Sequence, residues 1–171
     1  MGSFVSIPLL ALAAVIQSTF VPQLRLSGGG PDLVFMMVLS WAVNAPLGES
    51  LIWALVGGIC LDLLSAAPLG TSALGMVIVV FFISGINQQV YRIGFLLLSA
   101  IILLGTTFQQ VTTMIVLAFT GHTIVLPFDL SYVVAPTIVY NFILIWPVYF
   151  VMRRIQKRLS GEKPFFAPSG R

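Results

Sequence analysis

Long apolar runs, almost free of charge, fill the chain from residue 4 to residue 152. The only Asp or Glu residues there are Asp32, Glu49, Asp62 and Asp129, and the only Lys or Arg residues are Arg25 and Arg92. A water-soluble domain covers itself with charge, at about 25% of its residues. In this chain the charged share is 8% against 58% hydrophobic, with a mean hydropathy of +1.07. That leaves too little polar surface for a soluble enzyme and too much apolar surface for a disordered tail. A single cysteine, Cys60, excludes a disulfide scaffold. The runs are continuous rather than alternating, so a transmembrane β-barrel is excluded as well. An all-α polytopic membrane protein is the class that remains.

Charge, Pro and Gly cut the apolar sequence into six stretches, at residues 4–21, 32–45, 49–65, 71–86, 93–119 and 132–152. A perpendicular crossing takes about 20 residues. The second stretch would reach only about 21 Å at 1.5 Å per residue. It either thins the bilayer locally or is re-entrant and shielded by protein. Counting it as a crossing gives a six-span bundle with both termini on one side. The first stretch has no Lys or Arg before it and is long for a signal peptide, so it reads as a retained helix.

The net charge of +3 is concentrated at one end, since six of the eight Lys and Arg residues follow residue 152. With six spans, Arg92 joins these six on one side and Arg25 is alone on the other. Seven against one places both termini in the cytoplasm by the positive-inside rule. The segment 153–171 is then a basic cytoplasmic tail. Its Arg153, Arg154, Lys157 and Arg158 read as an anchor on anionic lipids, not as a nucleic-acid groove.

Ionisable groups within membrane helices are the first places to look for chemistry. Asp62, near the end of the third stretch, has two readings. It can clasp the start of the next helix near Thr71 and Ser72, where free N–H groups are on offer, or it can serve as an ion or proton site. Asp32 follows Pro31 and opens an apolar run, as an N-cap does. His122 and Asp129 lie in an external loop without the further His or Cys that a zinc site needs, so no metal and no cofactor is expected. No serine elbow or zinc-helix motif is present.

In the fifth stretch Gly105, Gln109 and Thr112 share one helical face. Polar groups in a bilayer turn toward protein, so this stripe reads as interhelical hydrogen bonding or as a small polar pocket or partner interface. Gln17, Ser18, Asn44 and Asn141 are the available partners on other stretches. Ala54 and Gly58, with Gly57 beside them, form a small-xxx-small step that permits close helix contact. Cys60 reads as a small buried apolar residue.

One block is more specific than the rest. It begins with Pro31-Asp32-Leu33 and continues from Gly57 and Gly58 through Asp62-Leu63-Leu64-Ser65 to Pro68-Leu69-Gly70. This block resembles the MreD family of bacterial rod shape-determining proteins. The resemblance implies a non-enzymatic scaffold of the elongation machinery in the bacterial cytoplasmic (inner) membrane. Its implied partners are an MreC-type single-span protein, a RodA-type glycosyltransferase and a class-B penicillin-binding protein, acting in lateral peptidoglycan synthesis and rod shape. Self-association remains an additional option. The family is also similar in layout to the six-span substrate-binding subunits of energy-coupling-factor vitamin transporters. A small-molecule-binding transporter subunit is therefore the alternative function, although no dense polar cluster on the external loops points to a ligand pocket. The Ala54–Gly58 step and the Gly105–Gln109–Thr112 stripe are the candidate partner grooves, or else internal seams.

Overall fold

The computed structural model describes residues 2–24, 29–65, 67–87, 95–120 and 134–159. Arg25, Arg92, His122, Asp129 and the tail beyond Leu159 lie outside the described residues. The described residues form six helices and no sheet: α1 (Gly2–Leu24), α2 (Leu33–Ala42), α3 (Leu47–Leu63), α4 (Thr71–Asn87), α5 (Phe95–Phe119) and α6 (Ala135–Leu159). By length and hydropathy, three stretches suffice to cross a membrane: Ser6–Gln23, Leu97–Phe119 and Ala135–Leu159.

Most helix limits fall within three residues of the apolar stretches, and two of the departures have a clear local reason. α2 stops at Ala42 rather than running on to residue 45, because Val43 and Asn44 turn back onto Leu39 O and Trp41 O and Pro46 then opens α3. α6 continues past Met152 to Leu159, since loss of hydropathy does not end a helix and Arg and Lys are good helix formers. Arg153, Arg154, Lys157 and Arg158 are consequently exposed side chains on the last turns of α6, where cations also complement the helix dipole.

Burial follows the pattern of a protein surrounded by hydrocarbon. Gln109 is 5% exposed and Asn141 1%, whereas Leu104 is 73% and Phe81 61% exposed. In water this distribution would be unfavourable; in lipid it turns polar side chains such as Asn141 toward protein partners and leaves apolar side chains outside.

α2 sits at the centre and packs against α1, α3, α4 and α6. Its ten residues extend about 15 Å, half of a hydrocarbon core. Eight of the ten are buried, so protein rather than lipid surrounds it, and its length need not match the bilayer. Trp41 of α2 stacks on Trp53 of α3 with ring centroids 4.0 Å apart and planes 10° from parallel. The small residues of α3 permit this closeness. A Cβ on Gly57 would stand 3.0 Å from side-chain methyls of Val34 and Val38, and one on Gly58 would collide with the backbone of Ala73 in α4. Gly105 does the same for α5, at 3.2 Å from Phe35 Cζ and 3.3 Å from Val79 Cγ1. Ala54 is fully buried. The Ala54–Gly58 step and the Gly105–Gln109 part of the stripe are therefore internal seams, not grooves on the outer face.

Candidate functional site

The polar side chains gather where α1 and α3 end and α2 and α4 begin. Asp32 is the N-cap of α2, and its Oδ1 accepts from Phe35 N at 3.1 Å. The same oxygen accepts from Gln17 Nε2 of α1 at 3.0 Å. Gln17 uses its other end as well, since its Oε1 accepts from Val34 N at 2.9 Å. One glutamine amide thus serves as a second cap for α2. Asn141 of α6 approaches from the opposite direction. Its Oδ1 accepts from Asp32 N at 2.9 Å, and its Nδ2 donates to Thr106 Oγ1 of α5 at 3.1 Å. Four helices are tied through the first turn of the central one. In an apolar medium each such group left unpaired would cost several kcal/mol, roughly 2–7, so the knot fixes how these helices rotate about their axes.

Asp62 forms a separate arrangement within α3 and α4. It is 2% exposed and both its oxygens are occupied: Oδ2 accepts from Gly70 N at 2.8 Å and Oδ1 from Ser72 N at 3.0 Å. Pro68 interrupts the chain between the helices, and its carbonyl accepts from both Thr71 N and Thr71 Oγ1. Gly70 has φ +96°, a backbone state that favours glycine, and only this bend turns its N–H onto the carboxylate. Of the two readings of Asp62, the clasp describes this geometry.

Gln109 finds a partner that the sequence does not suggest. Its Nε2 donates to Ser72 O at 3.3 Å, and its Oε1 is buried with no partner. Gly75 of α4 makes room for it, because a Cβ there would collide with Gln109 Oε1. Of the other polar residues considered as partners for Gln109, Gln17 and Asn141 turn to Asp32, while Ser18 and Asn44 bond the carbonyls of Val15 and Ser40 in their own segments. Thr112 Oγ1 donates to Phe108 O within α5 and bonds no other helix among the described residues.

Above the capped end of α2 lies a half-open cavity of about 500 Å³. Gln17, Ser18, Asp32, Ser65, Gln110 and Thr137 provide its polar lining, drawn from five helices or their ends. Sequence reasoning missed this space, and it missed Gly75, Thr106 and Gln110 as participants. Adjacent polar residues at 109 and 110 were the available signal, because consecutive residues of a helix face different neighbours. Among the described residues no group of three or more His, Cys, Asp or Glu converges as a metal site would require.

The family model described as rod shape-determining protein MreD matches residues 1–159, a span that includes all six helices. The chain belongs to the MreD family. No curated protein and no solved structure matches it. MreD proteins are membrane proteins with a structural role in rod shape determination and are not a known enzyme family. Within this MreD chain, the polar knot, the Asp62 clasp and the cavity all lie in the half of the bundle where α2 and α4 begin.

Proposed function

We propose that this MreD-family chain is a six-span, multi-pass scaffold of the bacterial inner membrane with both termini in the cytoplasm. It holds an MreC-type single-span protein, and with it a RodA-type glycosyltransferase and a class-B penicillin-binding protein, for lateral peptidoglycan synthesis. The observation that carries this reading is the family match across residues 1–159. The geometry agrees with it, because the buried polar side chains Asp62, Thr106, Gln109 and Asn141 are used to join the bundle's own helices. The small-residue seams are also consumed internally, so a partner helix must pack on outer side chains such as Phe81, Leu104 and Ile143. Affinity purification of the intact chain from membranes in mild detergent tests the proposal. Recovery of an MreC-type protein is the expected outcome; a pull-down lacking it, from cells that contain it, would overturn the scaffold reading. For topology, cysteines introduced near Lys157 should be shielded from an impermeant reagent in intact cells.

The cavity gives a specific reason to keep the second reading, a vitamin-type binding subunit of a transporter. Such a subunit gains about 2.7 kcal/mol of stability at a solute concentration 100-fold above Kd. A scaffold should be stabilised by its single-span partner and by no vitamin.

A further inference from the structure

The cavity owes its existence to a difference in helix length. α2 has 10 residues, while α1, α3 and α6, which surround it, have 23, 17 and 25. A short central helix cannot fill the full height of such a bundle, and the space left lies over its N-terminus, where Gly29, Gly30, Pro31 and Asp32 line it.

The hydrogen bonds decide what kind of group fits there. A bare helix N-terminus would offer donors and attract anions. Here the N–H groups of Asp32, Val34 and Phe35 are already taken by Asn141, Gln17 and Asp32 Oδ1. An acceptor remains, because Asp32 Oδ2 receives no hydrogen bond among the described residues. The side-chain amide of Gln110, half-buried on the α5 wall, likewise has no partner among them. Among the described residues no Lys or Arg lines the cavity, whereas Val21, Leu61 and Leu64 give it an apolar side. Asp62 supplies the contrast: its two oxygens are both satisfied by the fold, so it has nothing left for a ligand.

We propose that this cavity binds a primary ammonium group on a short hydrocarbon stem, carried by a free amine or by an aminated lipid headgroup, with Asp32 Oδ2 and Gln110 Oε1 as its acceptors. An ammonium brings three donors and a positive charge, and its bond to a carboxylate is of the stronger, charge-assisted kind. The apolar side covers the stem. The site is independent of whether the bundle also holds an MreC-type partner, because the groups it uses come from this chain alone.

The test uses the full chain purified in mild detergent. Thermal unfolding is followed with ethanolamine, and with glycerol as a hydroxyl-only control. Native mass spectrometry compares retention of phosphatidylethanolamine with that of phosphatidylglycerol. A saturable rise in Tm with ethanolamine, or selective retention of phosphatidylethanolamine, is expected, and the arm that responds names the source. Asp32→Asn keeps an oxygen for Gln17 and Phe35, so it should fold and lose affinity by about tenfold or more, the size of one hydrogen bond to a charged group. Gln110→Leu removes no hydrogen bond within the described fold and should weaken binding as well. If Asp32→Asn fails to fold, Gln110→Leu alone decides. The proposal is overturned if neither ammonium probe binds the folded wild-type chain. It is equally overturned if glycerol and phosphatidylglycerol do as well as their ammonium counterparts, or if binding is undiminished in the variants that fold.

Discussion

Asp62 and Asp32 are both acidic residues at helix ends in the same half of the bundle, and they are held in different ways. Asp62 takes two backbone N–H groups from residues eight and ten positions ahead, and both its oxygens are used. Asp32 takes one N–H from its own helix, one from a side chain fifteen residues back, and gives its own N–H to Asn141, 109 residues away. The first is a local clasp that closes one turn between adjacent helices. The second is the meeting point of four helices, with one oxygen spare. A carboxylate whose valences are filled by neighbouring backbone is structural; one left with an open acceptor beside a cavity can serve a ligand as well.

Mutation can break this comparison most forcefully on the clasp side. Gly58→Leu drives a side chain into the backbone of Ala73, which cannot yield cheaply, and should cost about 3 kcal/mol or more, at the upper end for overpacking. The protein should then fail to accumulate in membranes, as read by quantitative immunoblotting of membrane fractions. Normal accumulation would mean that α3 and α4 do not meet as closely as described.

Asp62→Leu leaves the N–H groups of Gly70 and Ser72 without an acceptor in an apolar setting. At about 1–3 kcal/mol per orphaned group, a loss on the order of 3 kcal/mol is expected in thermal or denaturant unfolding in detergent. Asn141→Leu tests the long-range counterpart. It orphans the Asp32 N–H and frees Thr106, and should cost about 2 kcal/mol while loosening α6 from α2 and α5. Faster amide hydrogen exchange confined to the α2 start and α6 would sharpen the comparison; a uniform increase over the whole chain would contradict a separate knot.

The smallest effect discriminates best. At Asp62 an amide replaces one of two working acceptors with a donor facing an N–H, so Asp62→Asn should cost about 1–2 kcal/mol. At Asp32 the single working oxygen survives in Asp32→Asn, and the loss of fold stability should stay below about 1 kcal/mol. Equal losses at the two positions would show that Asp32 Oδ2 is also needed by the fold.

Much of this was readable in the residues, and the readable part has a common property: its partners lie within about ten positions. Pro31-Asp32-Leu33 announces a cap because the bond from Phe35 N lies within one turn. Asp62 and the start of α4 are legible together because Pro68 and Gly70 permit only a tight connection. The apolar stretches locate all six helices, since helical hydrogen bonding is local and hydrocarbon allows no other use of so many apolar residues.

What escaped is what depends on rotation and height. Gln109 faces Ser72 rather than Gln17 or Asn141, because the azimuth of α5 is set by Gly105 against Phe35 and Val79 and by Gly75 opposite the glutamine. The second stretch does begin at Asp32 as read, but the cavity over that end depends on how far the longer helices around α2 extend beyond it, which no local pattern shows.

Composition and order by themselves determined that this chain is a helical membrane protein, and the block from Pro31 to Gly70 carried its likeness to the MreD family. Charge scarcity and segment length are sums over neighbouring residues and need no knowledge of packing. Only the tertiary structure decided which small residues form internal seams, which carboxylate keeps a free oxygen, and where the bundle is hollow. Each of these is settled by contacts between helices far apart in sequence. Among apolar helices in lipid, close packing and a few buried hydrogen bonds, rather than any hydrophobic pattern, select those contacts.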